Sequence, residues 1–485
     1  MQCLLVLGFL LGSAVSAPTT GNTTLQAENV VDSLRFYDPR QRFLPPFWWA
    51  ETPGTNAHFT VEKRLPAVLA GVLADYKLDV ESLKNDSIPV DIAGQLRIER
   101  SLAELQQEMT DNAPIREFPL GNNSSVGDDL AEWNWALQRS LAWNQRNESD
   151  VPRWYDSPTT FVECYFYRRL SYIFERESWT TDHFHLKKKE SLEHNMHNIQ
   201  ALLDYLENTL EAVAASHNRS DPLVKEHLMN IMRLSVWGNK GDLSLTATHN
   251  KSSHVVSHDF HDEQQQIQEL LLVDQSEAIW SYLQRLNRSA HIAIICDNFG
   301  FELTTDLILG EFLIVSGLVA TVHYHVKALP WFVSDVIIPD FHRTLRMVDQ
   351  QHTGQFGTKW QGYLTTGQFK LSADRFWTLP YDYDVMDVKA PGLYAQLQKE
   401  DLLIFKGDLN YRKLTGELRW SPQEKFGYVL RNFRPTAVAA LRGVKTTVLV
   451  GVTDQERLQQ LNANETDWML TGKYSVIQFA PPLTQ

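Results

Sequence analysis

A chain of 485 residues exceeds what one hydrophobic core usually organises, so two domains or one elaborated domain are expected. Its 45 basic against 59 acidic residues leave a formal charge of -14, and its basic runs reach no further than Lys187-Lys188-Lys189. That balance argues against a nucleic-acid partner held through phosphate neutralisation. Beyond Cys3 in the N-terminal segment only Cys164 and Cys296 remain, so the chain is no disulfide scaffold, and the two form either one bridge or two buried thiols.

Residues 1–17, MQCLLVLGFLLGSAVSA, combine an apolar run from Leu4 to Leu11 with small residues ending at Ala17, the pattern of a cleaved secretory leader, although no Lys or Arg precedes the run. Nine Asn-x-Ser/Thr sequons, at Asn22, Asn85, Asn122, Asn123, Asn147, Asn218, Asn250, Asn287 and Asn464, point the same way. A secreted glycoprotein is expected, with a cytoplasmic chain as the alternative. The apolar stretch from Leu307 to Val322 is broken by Glu311 and is short for a bilayer, so no membrane span is expected after the leader.

From about 60 to 235 apolar residues recur at three- and four-residue spacing, in LPAVLAGVLADYKL, in the run from Ala131 to Trp143, and in LEHNMHNIQALLDYLENTLEAVAAS. This predicts a mainly helical N-terminal domain over 18–250. The polar stretch 251–266 reads as a linker or surface loop. From 267 to 485 short apolar runs, HIAIIC, LVATVHYHV, DLLIFKG, TTVLVGV and YSVIQFA, alternate with helical patterns. The prediction is an α/β fold, a three-layer α/β/α domain around a mostly parallel sheet. The segment 352–369, HTGQFGTKWQGYLTTGQF, reads as a long exposed loop.

In an open parallel sheet, ligands bind beyond the carboxyl ends of the strands. Three places put oxygen ligands there: Asp297-Asn298 after HIAIIC, Asp335 after ALPWFVS, and Lys406-Gly407-Asp408 after LLIF. Carboxylates with an Asn carbonyl form a hard-oxygen set suited to a divalent ion, and the lack of Cys or His among them argues against structural zinc. Arg412 and Lys413 follow Asp408 closely, and a metal with Arg and Lys on one rim is the set that phosphoryl transfer uses. Glu163, Arg168 and Arg169 of FVECYFYRRL either reach the cleft from the other domain or form interdomain salt bridges.

Other motifs are set aside. His249, His254, His258 and His261 read as a solvated linker, and Glu193, His194 and His197 as the exposed face of a helix lacking the metalloprotease spacing. No two glycines are separated by a single residue, against a nucleotide- or S-adenosylmethionine-binding turn. Cys296, inside a strand-like run beside Asp297, reads as a buried structural thiol.

The chain resembles a known family along most of its mature length: Arg64-Leu65-Pro66, FVECYFYRRL, DHFHLKKKESL, SVWGNKGDLSL, DNFGFELTTDL and KGDLNYRKL are similar to subfamily III of the damage-control phosphatases. These carry domain of unknown function 89 and were earlier assigned as protein-glutamate O-methyltransferases. The resemblance implies a metal (manganese, cobalt, nickel or magnesium) on Asp297, Asn298 and Asp335. It implies a phosphate-ester pocket lined by those first two residues, Glu302, the segment Asp408, Leu409, Asn410, Tyr411 and Arg412, and Lys445.

In the implied chemistry the ion neutralises phosphoryl oxygens, Arg412 and Lys445 stabilise developing charge, and Glu302 and Asp408 orient substrate hydroxyls or water. The family's Arg-Thr-x-Lys hallmark reads Arg442-Gly443-Val444-Lys445 here, and the Ala-Asp that commonly follows reads Thr446-Thr447. This departure touches substrate choice rather than the metal site. The expected function is hydrolysis of small phosphorylated metabolites such as sugar phosphates resembling fructose 1-phosphate. The alternatives are protein carboxyl methylation, or a catalytically impaired member that binds metal and ligand. Nothing in the sequence sets the oligomeric state.

Overall fold

The computed structural model describes residues 44–88, 91–120, 129–143, 152–216, 218–237 and 267–483. The leader, the sequons at Asn22, Asn122, Asn123, Asn147 and Asn250, the linker 251–266, the four-histidine stretch and most of SVWGNKGDLSL lie outside the described residues.

The helical periodicities are realised as helices α1 (Leu65–Asn85), α2 (Ile92–Thr110), α3 (Leu130–Trp143), α4 (Thr159–Arg176), α5 (His185–Ser216) and α6 (Pro222–Trp237). Helix α1 buries Leu65, Val68, Leu69, Val72, Tyr76 and Val80, a stripe at helical spacing. Helix α4 is buried almost all round, Glu163 and Arg168 included, so its charges must find partners inside the protein.

Seven strands follow among the described residues: β1 (Leu271–Asp274), β2 (His291–Ile295), β3 (Thr321–Val326), β4 (Phe369–Ala373), β5 (Leu402–Lys406), β6 (Ala437–Gly443) and β7 (Ser475–Ala480). They form one sheet in the order β1-β7-β6-β5-β2-β3-β4, parallel throughout except for the β6–β7 pair. Successive residues alternate between two cores. Ala293, Ile295, Leu403 and Phe405 join a cluster with α1, α2, α3 and α4, whereas Ile292, Ile294, Leu402 and Ile404 join one with α5, α6 and the helices α7 (Phe301–Val315) and α8 (Ile338–Gln351). Both faces are covered, which explains why these strands read as unbroken apolar runs.

Two sequence readings are corrected. The segment 352–369 holds helix α9 (Phe356–Thr366), whose Phe356 and Trp360, four residues apart, are buried; its glycines and polar residues disguised one apolar edge. TTVLVGV is buried but not a strand, because side chains take its backbone groups: Arg442 donates to the Val448 carbonyl at 2.5 Å, Gln478 to that of Val450 at 2.7 Å, and the Val450 N–H bonds the Tyr411 hydroxyl at 3.3 Å. The strand in this region is β6, which ends just before it and is rich in alanine.

The topology fixes where a site lies. From β2 the chain steps to β3 and β4 on one side, then crosses back to β5 and β6 on the other, so β2 and β5 are neighbours at the point where the winding reverses. Beyond their carboxyl ends lies the crevice such sheets use for ligands.

Candidate active site at the reversal of the sheet

Strand β2 delivers Asp297 and Asn298 into that crevice. The segment 331–335 runs antiparallel to them: Phe299 N–H donates to the Ser334 carbonyl at 2.8 Å, Val336 N–H to that of Asp297 at 2.9 Å, and Asn298 bridges Asp335. ALPWFVS is therefore a turn rather than a strand. Phe332 and Val333 hold φ of 42° and 69°, a conformation rare for a β-branched residue and kept only where packing dictates it. Phe332 stacks on Tyr167 of α4 with ring centroids 4.4 Å apart, and Trp331 is fully buried.

Asp297, Asn298 and Asp335 are thus brought together, all buried. The Asn298 amide is fixed on both ends: its nitrogen donates to Asp297 Oδ2 at 2.9 Å and Glu302 Oε2 at 2.8 Å, and its oxygen accepts from the Ser334 hydroxyl at 2.5 Å. Glu302, in the first turn of α7, also takes Lys406 Nζ at 3.0 Å, and Lys406 reaches Asp306 at 2.7 Å and the Ser235 carbonyl at 3.2 Å. Glu302, expected to face substrate, is bound to its own protein on both oxygens. Asp306 is structural, as part of the same buried chain of charges.

Burial raises the Asp306 carboxyl to about 6, against the pull of Lys406. Burial works against the Lys406 ammonium too, yet Asp306 and Glu302 together hold its pKa above the ordinary value.

Strand β5 ends at Lys406 and helix α10 (Gly407–Thr415) begins at once. Gly407 has φ +80°, and a Cβ there would lie 1.8 Å from Asp297 Oδ2. Only glycine lets the Asp297 carboxylate sit against this backbone, at the N-terminal end of α10 where helix N–H groups favour anions. Asp408 Oδ1 collects Arg442 Nε at 2.8 Å, the Thr446 hydroxyl at 3.2 Å and the Lys445 N–H at 3.3 Å. It therefore organises the loop that carries Lys445.

The remaining residues of the DLNYR segment turn inward. Leu409 is core, and the Asn410 amide donates to the carbonyls of Lys406, Ile295 and Cys296 while accepting from Tyr383. Tyr411 bonds Gln478 at 2.8 Å. Arg412, expected at the phosphate, donates to Glu417 at 2.6 and 3.0 Å and to Glu163 of α4. Lys413 lies against the Trp377 and Leu379 carbonyls. Of the α4 charges, Glu163 ties that helix to α10, whereas Arg168 pairs with Asp129 and Arg169 with Glu108 within the helical half.

Sequence reasoning missed Lys327 and Ser334, and placed Lys406 and Gly407 after a strand without the partners they meet. Lys327 is 1% exposed, its ammonium 3.2 Å from Asp335 Oδ2 and 3.0 Å from the Cys296 carbonyl. The readable signal was a lysine at the end of each of the strand runs of β3 and β5. Cys164 and Cys296 are free and buried, and burial pushes the Cys164 thiol up to about 11. A surface hollow of about 550 Å³ lined by Ile338, His342, Phe369 and Lys370 holds none of these site residues.

Among the described residues no three His, Cys, Asp or Glu side chains are arranged as metal ligands, so the candidate donors are two carboxylates and one amide oxygen. Their chemistry suits a hard divalent ion. Two buried ammonium groups meet the acids there: Lys327 pairs with Asp335, and Lys406 with Glu302 and Asp306.

Fold and site define a doubly wound α/β protein with a buried acidic cluster at the reversal of its sheet. The profile described as damage-control phosphatase ARMT1-like domain matches residues 60–461, and the chain belongs to that family. It is 33% identical to the damage-control phosphatase ARMT1 of Danio rerio over 445 residues, 89% of this chain and 96% of that protein. The human protein of the same name is 33% identical over 447 residues, covering 89% and 97%. A solved DUF89 family protein of Pyrococcus horikoshii aligns with 68% of this chain and 86% of its own at 17% identity, with a TM-score of 0.34.

Proposed function

We propose that the protein is a metal-dependent phosphomonoesterase for small phosphorylated metabolites, sugar phosphates resembling fructose 1-phosphate among them. Family membership supports phosphate-ester chemistry. The observation that carries the reading is the meeting of Asp297, Asn298 and Asp335, all buried, beyond the end of β2, with the Asp297 carboxylate set against the Gly407 backbone. Asp297, Asn298 and Asp335 hold manganese, cobalt, nickel or magnesium in this reading, and the bound ion supplies Lewis-acid polarisation of phosphoryl oxygens.

The chain's own residues do the rest. Glu302 and Ser334 lock the Asn298 amide, and Lys406 locks Glu302, so the donor set needs no rearrangement when substrate arrives. Lys445 and the N-terminal end of α10 supply positive potential for the phosphate. Asp408 keeps the Lys445 loop against that helix end. The test is phosphate release from a sugar-phosphate panel after chelation and after return of each metal. Release should appear only with metal and vanish in Asp297→Ala; release that survives chelation or that substitution refutes the reading.

A second reading, binding without turnover, is favoured by Gly443 at the hallmark position and by the engagement of Arg412 with Glu163 and Glu417. Metal binding without phosphate release across the panel would select it. The leader and sequons further support secretion. Asn85, Asn218, Asn287 and Asn464 are all exposed, as an attached glycan requires. Enzymatic deglycosylation of chain recovered from culture medium should lower its apparent mass; an unmodified chain found only inside cells contradicts secretion.

A further inference from the structure

We infer that Lys327 is a resident counter-ion of the β2 site, holding the Asp335 carboxylate in register when no dication is bound and opposing the dication when one is. The inference rests on the metal-site reading above. Lys327 leaves β3 at the level where β2 ends, since β3 pairs with β2 in parallel and Ile295 is level with His325. Its backbone joins the other wall of the site, donating to the Val336 carbonyl at 2.9 Å and bridging Ile337. Its ammonium spans the same gap, 3.0 Å from the Cys296 carbonyl and 3.2 Å from Asp335 Oδ2. One side chain therefore links the residue preceding Asp297 to the carboxylate opposite.

Lys406 does not share this role, because its ammonium is spent on Glu302, Asp306 and the Ser235 carbonyl. Nor is Asp335 on forgiving backbone: two residues with positive φ, Phe332 and Val333, precede Ser334 and Asp335. A carboxylate on such a turn, buried with other acids, is costly to leave without a neighbouring positive charge. An ammonium a few ångströms from Asp335 lowers that cost in the metal-free chain. It also repels a dication that takes the same carboxylate as ligand.

The two effects give an outcome that a simple packing role does not. The experiment compares thermal unfolding of the full chain after chelation and with Mn²⁺ alone, and measures Mn²⁺ affinity by calorimetry. Lys327→Met should lower the metal-free Tm by several degrees and the Mn²⁺-loaded Tm by less. It should tighten Mn²⁺ binding at least tenfold, the change that repulsion between a unit charge and a dication about 6 Å apart gives even at water's dielectric of about 80. Lys327→Arg, which keeps the charge, should stay close to the parent.

Equal loss of Tm in both states with unchanged affinity, or weaker Mn²⁺ binding, overturns the inference. If Lys327→Met does not fold, the double variant Lys327→Met/Asp335→Asn decides, since removing both charges should recover the parent's metal-free Tm; no recovery overturns the inference. A parent chain whose Tm does not respond to Mn²⁺ or the other metals refutes the metal-site reading itself, a result separable from a parent that responds while Lys327→Met shifts nothing.

Discussion

Two buried charge clusters among the described residues differ in their make-up. Where α4 meets α10, Glu163 and Glu417 face Arg412 and Arg64, carboxylates against guanidinium groups. At the end of β2, Asp335 meets Lys327, Glu302 and Asp306 share Lys406, and the Asp297 carboxylate lies against the Gly407 backbone beside the Asn298 amide. Burial is nearly complete in both. The difference teaches that burial of charge does not by itself mark a functional site: the first cluster holds two elements together through ion pairs, and the second gathers carboxylates with an amide oxygen, a donor set suited to a ligand of positive charge.

The largest effect expected from this comparison is at the first cluster. Arg412→Met strands the buried Glu417 and leaves Glu163 only the longer pairing with Arg64, and should cost about 3–5 kcal/mol, read as a fall in denaturant midpoint. A loss below about 1 kcal/mol would mean that the pairing is incidental. Next comes Gly407→Ala, which drives a methyl into Asp297 Oδ2 and strains a backbone at φ +80°. It should cost about 1–3 kcal/mol and reduce metal-dependent phosphate release more than the milder fold loss accounts for.

At the cluster beyond β2 the sign reverses. Asp297→Asn removes one buried negative charge from a group of acids and should leave the metal-free chain as stable as the parent or about 1 kcal/mol more stable, while abolishing the metal-induced rise in Tm. A marked loss of metal-free stability would show that the Asp297 charge serves the fold instead.

A pH-dependent contrast is set by His183, buried and stacked flat on Phe174 with centroids 4.9 Å apart. Burial lowers its pKa to about 4. Because the folded value lies below the unfolded one, His183's contribution is present above about 6.5 and is lost as pH falls toward 4, up to about 3 kcal/mol. His183→Phe should therefore lose less stability between pH 7 and pH 4.5 than the parent, measured by denaturant melts; equal losses would remove His183 as the cause. The smallest effect is at the exposed acid and imidazoles of α5, where Glu193→Ala and His197→Ala should each stay within about 0.5 kcal/mol of the parent.

Much of the fold is legible in the residues themselves. The strand runs at β2, β3, β5 and β7 and the helices α1, α3 and α5 announce themselves because burial on one or two faces forces a period in apolar residues. Asp297 and Asn298 are readable because they follow such a run at once. Asp335 is found for the wrong local reason, since ALPWFVS is a strained turn; what places it is an antiparallel pairing with Asn298, a contact 37 residues apart in sequence. Glu302 and Arg412 are readable as charged residues near the site, but not as residues already bonded to Lys406 and Glu163. Those partners lie 104 and 249 positions away.

The sequence by itself determined the α/β class, the covered parallel sheet, the family, and the first two residues of the site, because periodicity and residues adjacent to strands are local properties. The tertiary structure decided which carboxylates tie elements together and which gather at the end of β2. That distinction depends on where Lys327, Lys406, Arg412 and Glu163 come to rest, and electrostatic pairing acts through space across neighbours that no local pattern brings together.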